Sequence, residues 1–172
     1  SGRHLARMAG GFGMTIRAYD PFLEKTGWPK GDVAPVSSLH GGLAWADAVS
    51  IHAPRDEKPL LGADELAKMK PTAVLVNSAR GGIVDEAALA TALETGSIAA
   101  AGLDVFEDEP LKPQSRLIAM DNVLLTPHIA GLTEGCAERM AVGSVQNVLD
   151  FFNGTIDPNL VVNRAPLESA KV

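Results

Sequence analysis

The chain has 172 residues, enough for one domain with a sizeable core, and 46% of them are hydrophobic, an ordinary share for a globular protein. A net charge of −6 argues against nucleic acid or an anionic membrane as the main partner, and no apolar run approaches the roughly 20 residues of a membrane span. The single cysteine, Cys136, excludes an internal disulfide and fits a reducing cytoplasm, and no Cys/His cluster has metal spacing.

Short apolar runs alternate with helical stretches, the rhythm of βαβ units in an α/β fold with a mostly parallel sheet. The polar opening shows no signal peptide and runs into a helix over Gly2 to Gly10, with Leu5, Met8 and Ala9 on one face. Gly10, Gly11 and Gly13 read as helix C-cap and turn residues. Met14 to Tyr19 is the first strand, ending at Asp20-Pro21, and a loop with Gly27, Pro29, Gly31 and Pro35 comes next. Val33 to Val36 is a short strand, Ser38 to Trp45 a short helix and Ala48 to His52 a strand. Ala63 to Met69 is a helix stopped near Pro71. A strand over Ala73 to Asn77 precedes a helix over Asp85 to Thr95, with Asp85 as N-cap and Gly96 after its end. Ile98 to Val105 reads as a strand, Leu111 to Met120 as irregular or partly helical, and Val123 to Leu125 as a last short strand. A long helix capped by Thr133 runs to about Phe152, ended by Asn153-Gly154; Cys136 is a buried or half-buried residue of it. Asn159 to Val172 reads as a short extended piece and a tail.

Three polar residues come directly after apolar runs of this kind: Arg80 in Asn77-Ser-Ala-Arg-Gly-Gly-Ile-Val-Asp85, Glu109 in Asp104-Val-Phe-Glu-Asp-Glu-Pro110, and His128 in Thr126-Pro-His-Ile-Ala-Gly131. In open α/β sheets the ligand crevice lies beyond the carboxyl ends of the strands, so the three are expected to converge there. Arginine's planar fork matches a carboxylate, and Gly81 and Gly82 let the backbone approach a ligand. Imidazole titrates near neutrality and can give or take an alcohol proton. Glu109 can accept from the imidazole N–H and favour its protonated form. Asp104 ends a strand, where it could bind a carboxamide or orient the loop.

Asp20 also closes a strand. A carboxylate there can accept from both hydroxyls of an adenosine ribose and repel a 2′-phosphate, which would select NAD over NADP. The other reading is an Asp that starts a turn before Pro21. The helix opened by Ser1-Gly2-Arg3 resembles the end of a Gly-x-Gly-x-x-Gly loop, whose N–H groups cradle a pyrophosphate, and its distance from Asp20 suits that fingerprint.

These residues resemble the D-isomer-specific 2-hydroxyacid dehydrogenase family. The resemblance covers roughly residues 1 to 163 and is carried by Gly2-Arg-x-Leu-Ala, Gly11-Phe-Gly-Met14, Ala18-Tyr-Asp-Pro21, His52-Ala-Pro54, Met69-Lys-Pro71, Val76-Asn-Ser-Ala-Arg-Gly-Gly through Leu89, Ala101 to Pro110, and Thr126-Pro-His-Ile-Ala-Gly131. It implies an oxidoreductase that interconverts a D-2-hydroxy acid and its 2-keto acid by hydride transfer, with Arg80, Glu109 and His128 as the catalytic set. It implies NAD as cofactor, held by Ser1, Gly2, Asp20, Pro54, Ala79, Arg80, Asp104, Ala130 and Gly131, and no metal. Formate dehydrogenases of the family carry Gln where Glu109 stands, so that subgroup is disfavoured. The loop Arg55-Asp-Glu-Lys58 departs from the family pattern and leaves a cofactor contact there open.

The implied fold is a Rossmann-type doubly wound parallel sheet lacking its first strand, which belongs in the middle, and lacking the substrate domain. Residues 1–153 would be a partial NAD-binding domain, and 154–172 an extension leading towards the absent domain. Inner strand edges without partners are costly, so an isolated chain is expected to be marginal, oligomeric or aggregation-prone, with no activity of its own. The complete protein is expected to be a cytoplasmic homodimer acting on a small acid. The alternative readings are an NAD(H)-sensing interaction protein, like the corepressors related to this family, and an inactive fragment.

Overall fold

A computed structural model describes residues 2–29, 31 and 33–163. The chain divides into two compact units, residues 1–130 and 131–172.

The first unit alternates helices and strands. In order these are α1 (Gly2–Gly11), β1 (Ile16–Ala18), α2 (Pro21–Thr26), β2 (Val33–Pro35), α3 (Leu39–Trp45), β3 (Ala48–Ile51), α4 (Ala63–Leu66), β4 (Val74–Asn77), α5 (Glu86–Glu94), β5 (Ala100–Leu103), a 3₁₀ turn (Arg116–Ala119) and β6 (Val123–Leu125). Every strand pairing is parallel. The strands form two sheets, a pair β1-β2 and a four-stranded sheet in the order β3-β4-β5-β6. The division falls between β1 and β3, where the resemblance places the sheet's first strand. Each of these two strands therefore has a strand neighbour on one side only.

The core lies on one face of the four-stranded sheet. Leu75 and Asn77 of β4 and Ala101 and Leu103 of β5 point into it, and Leu66, Leu89, Leu93 and Ile98 pack with them. The alternate residues Val74 and Val76 are 36% and 39% exposed on the other face. The period of two thus separates the faces, as pleated backbone requires.

Helix ends obey local chemistry. Asp85 Oδ1 accepts from Ala88 N–H at the start of α5, and Gly96 takes φ +70° after its end, where a side chain would be strained. Ser38 caps α3. The helix α2 is not expected from the sequence, in which Asp20-Pro21 reads as the end of a strand and the start of a loop. Asp20 is its N-cap, accepting from Phe22 N–H and Leu23 N–H at 2.9 and 3.1 Å, and Pro21 occupies the first turn, where a missing N–H costs nothing. The expected helix over Ala63 to Met69 closes early. Lys68 N–H and Met69 N–H bond back only three residues, so its last turn is tightened.

The second unit is α6 (Glu134–Phe152) and a 3₁₀ turn (Pro158–Leu160). Thr133 caps α6 through Cys136 N–H at 3.2 Å, as its sequence predicts, and Cys136 is half-buried. Among the described residues no helix is long and apolar enough to cross a membrane.

Candidate active site

The chemistry gathers where β4, β5 and β6 end. These strands are parallel neighbours, with Asn77 opposite Leu103 and Leu103 opposite Leu125. The segments after them carry Arg80, Glu109 and His128 to the same edge of the sheet.

Imidazole and carboxylate meet directly. His128 Nδ1 lies 2.7 Å from Glu109 Oε2, and Glu109 Oε1 accepts from Phe106 N–H at 3.0 Å. A carboxylate can only accept, so it fixes Nδ1 as the donor and leaves Nε2 for another partner. Both residues line an open cavity of about 530 Å³ with Phe106, Leu111, Leu125 and Pro127. A smaller cavity of about 240 Å³ beside Glu86, Asp108 and Lys112 holds none of the expected site residues.

The His128 loop is built around Asp104, which is buried. Asp104 Oδ1 accepts from the Thr126 hydroxyl at 2.5 Å and Ile129 N–H at 2.9 Å, and Oδ2 accepts from Ala130 N–H at 2.9 Å. Burial alone would push its carboxyl up, but these bonds outweigh it and hold it below the ordinary aspartate value. His128 has φ +53°, a left-handed conformation that costs a side-chain-bearing residue about 1–2 kcal/mol. Bonds on both sides of His128 offset that cost and hold the ring at the cavity. Asp104 is expected beside a carboxamide or as a loop organiser, and these bonds show it organising the His128 loop.

Arg80 is tied to the same cluster through its backbone. Asn77 is buried in line with Leu75; its Nδ2 donates to Arg80 O at 2.9 Å and its Oδ1 accepts from Ala79 N–H at 3.0 Å. Next to Arg80, Gly81 lies against the Phe106 carbonyl: a Cβ there would sit 1.6 Å from that oxygen. One chain of contacts therefore runs from the Arg80 loop through Phe106 to Glu109 and His128. The guanidinium itself donates from Nη1 to Ala79 O at 2.6 Å, and its other N–H groups remain for a ligand. Sequence reasoning missed Asn77. Its signal was the strand period, which puts an amide on the buried face, where it must find partners.

The expected cofactor residues are spread over several segments. Gly2 opens α1 against His52, and a Cβ at Gly2 would approach the ring to 3.3 Å. That bare helix start fits a pyrophosphate. Asp20 lies just past β1 and spends Oδ1 on its helix cap, leaving Oδ2 for a ribose hydroxyl. Pro54 lies past the end of β3, and Ala79 sits between Asn77 and Arg80. Ala130 is held by Asp104, and Gly131 opens the second unit, where its carbonyl accepts from Thr133 N–H. Ser1 lies outside the described residues.

The Glu109 carboxyl is held below its ordinary value of 4.5, first by the His128 N–H and then by Phe106 N–H. A depressed carboxyl contributes its stabilisation above the unfolded value and loses it as pH falls through the folded one. The pair is therefore expected to survive acidification through the ordinary glutamate range and to break only below it. Tracking the His128 Nδ1 resonance by ¹⁵N NMR checks this; loss of the bond at or above pH 4.5 would contradict it.

Known proteins resemble this chain over most of its length. The family model described as D-isomer specific 2-hydroxyacid dehydrogenase, NAD binding domain, matches residues 1–130. The glyoxylate reductase of Korarchaeum cryptofilum is 42% identical over 162 residues, covering 93% of this chain and 48% of that protein. The (S)-sulfolactate dehydrogenase of Chromohalobacter salexigens is 44% identical over 148 residues, covering 85% and 48%. A crystal structure of an NADPH-dependent glyoxylate/hydroxypyruvate reductase from Sinorhizobium meliloti, in complex with NADP and malonate, superposes with a TM-score of 0.81 at 35% identity, over 88% of this chain and 46% of that one. The chain spans about half the length of the curated relatives it matches. With the parallel sheet and the Glu109–His128 pair, these matches establish that the chain belongs to the D-isomer-specific 2-hydroxyacid dehydrogenase family.

Proposed function

We propose that this chain carries the cofactor-binding half and the proton-transfer residues of an enzyme that interconverts a D-2-hydroxy acid and its 2-keto acid. The observation that carries the reading is the 2.7 Å contact between His128 Nδ1 and Glu109 Oε2 at the open cavity. It makes Nε2 the atom that meets substrate.

Arg80 holds the substrate carboxylate with its free N–H groups and draws electron density from the neighbouring carbonyl. When bound, the nicotinamide cofactor supplies hydride to the carbonyl carbon in reduction and accepts it in oxidation. His128 Nε2 gives its proton to the carbonyl oxygen in reduction and takes the hydroxyl proton in oxidation. Glu109 keeps the ring in the orientation and tautomer this needs. Small 2-keto acids of the glyoxylate type are the proposed substrates, supported by the activities named for the relatives above. A coupled assay of 2-keto acid reduction by NADH tests this in the complete protein; sustained absence of turnover with every small 2-keto acid would overturn it.

The proposed cofactor is NAD rather than NADP. The solved relative from Sinorhizobium meliloti holds NADP, whereas this chain places a carboxylate, Asp20, beyond β1, and its charge opposes a 2′-phosphate. Wild-type protein is expected to bind NADH at least about tenfold more tightly than NADPH, and Asp20→Ser to lose most of that preference. Fluorescence titration with both cofactors measures it, and equal affinities in the wild type would reject the assignment. The complete protein is also proposed to be a homodimer, which sedimentation velocity can check, and to work in the cytoplasm, which its single cysteine suits.

A further inference from the structure

The loop after β3 brings a second arginine to the Arg80 loop. Arg55 is exposed, and a Cβ on Gly82 would lie 2.9 Å from both its Cζ and its Nε. The guanidinium therefore rests on the Gly82 backbone, in space that only glycine leaves open. β3 and β4 are parallel neighbours with Ile51 opposite Asn77, so Arg55 and Arg80 leave the same edge of the sheet on adjacent loops. The Arg55 segment stays with its neighbour: Leu60 N–H and Leu61 N–H both bond to Ile83 O, and Asp85 N–H bonds to Leu61 O.

Position, rather than pairing, sets these two residues apart: among the described residues other basic side chains such as Arg3, Lys25, Lys68 and Arg139 also lack an ion pair, but these two stand on neighbouring loops at the same strand ends. Lys70, Lys112 and Arg116 each sit on a carboxylate, of Asp47, Asp108 and Glu94 respectively. Among the described residues, neither Arg55 nor Arg80 is in an ion pair. Two guanidinium groups carried by adjacent loops can each offer a fork of N–H donors to an oxyanion of the same ligand.

We infer that Arg55 is a second anion-binding residue of this site, taking an oxyanion group beyond the one carboxylate that Arg80 holds. This rests on the reading of Arg80 given under the proposed function. The group is a carboxylate, sulfonate or phosphate, with oxygens that match the guanidinium fork. It arrives either on the far end of a doubly acidic substrate or in the diphosphate of the cofactor. In the first case the site favours 2-keto acids with a second acidic group over singly charged ones.

The test uses the full chain and binding alone, so it does not depend on turnover. Malonate and oxamate, a dianion and a monoanion, are titrated by calorimetry, and NADH and ADP by fluorescence or calorimetry. Wild type, Arg55→Gln and Arg55→Lys are compared. If the substrate supplies the group, Arg55→Gln weakens malonate relative to oxamate by about tenfold, with NADH and ADP affected far less. If the cofactor supplies it, NADH and ADP both weaken by about tenfold and the malonate-to-oxamate ratio holds. Arg55→Lys, which keeps the charge and loses the fork, falls between. Identical affinities for all four probes in wild type and Arg55→Gln overturn the inference, as does a wild type that binds neither malonate nor NADH. Failure of the proposed function has a different signature: anions bind as described, yet no 2-keto acid is reduced by the complete protein.

Discussion

Replacing His128 with alanine is expected to lower kcat for 2-keto acid reduction by about 10²- to 10⁴-fold, while the Kd for NADH moves little. Among the described residues lining the cavity, the ring is the group placed to pass a proton: Glu109 is held below its ordinary value and so stays a carboxylate, and the Thr126 hydroxyl is spent on Asp104. Removing the ring leaves Arg80 and its backbone scaffold in place, because those are held by Asn77 and by the contact of Gly81 with Phe106. The loss should therefore appear in kcat more than in KM. The direction of reaction adds a second readout. Reduction needs the imidazolium and should weaken as pH rises, whereas oxidation needs the neutral ring and should strengthen. His128→Ala should flatten both profiles. An unchanged kcat in the variant would remove His128 from the proton-transfer role.

Gly81→Ala is the second large effect. The added Cβ would lie 1.6 Å from Phe106 O and 2.1 Å from Phe106 C, far inside contact distance, and those are backbone atoms of a buried residue. The Arg80 loop and the Phe106–Glu109 loop cannot both stay where they are. Overpacking in a tight interior usually costs about 1–3 kcal/mol, and a backbone obstacle with no rotamer to turn away belongs at the top of that range. Urea denaturation should show a loss of about 3 kcal/mol, with kcat reduced by at least about 10²-fold as Arg80 and Glu109 separate. Gly82→Ala meets the Arg55 side chain instead, which can swing aside, although φ +75° strains any side chain there. It should be the milder of the two. Equal stability of Gly81→Ala and wild type would show that the two loops are not in contact.

Much of the site is legible in the sequence. Arg80, Glu109 and His128 each come after an apolar run, and parallel strands deliver the segments beyond their carboxyl ends to one edge, so that shared edge can be anticipated from order alone; the direct side-chain contact is between His128 and Glu109, and Arg80 joins them through its backbone neighbours. The helix starts at Asp85 and Thr133 are legible because a capping side chain acts on its own neighbours. The hidden features depend on distant contacts. Asp20-Pro21 has the same local signature as a turn, and whether it caps a helix depends on how the next residues pack. The strand expected over Ile98 to Val105 is Ala100–Leu103, because its apolar character continues past the last strand residues into core that is not ladder: Val105 and Phe106 are buried without belonging to β5. Gly81 reads as freedom to approach a ligand, whereas its bare Cα faces the Phe106 carbonyl, more than twenty residues along the chain. Asp104 reads as a ligand contact or a loop organiser, and its part in the loop shows only in its three bonds to Thr126, Ile129 and Ala130.

Arg80 and His128 are proposed to act on one small acid from the same edge of the sheet, and every other assignment depends on that. A crystal structure of the complete protein with NAD and oxamate, an unreactive 2-keto acid mimic, tests it most directly. The oxamate carboxylate should lie on the Arg80 guanidinium and its carbonyl oxygen about 3 Å from His128 Nε2, with Nδ1 still on Glu109. Oxamate bound elsewhere, with His128 Nε2 facing solvent and Arg80 making no contact to it, would contradict the shared site.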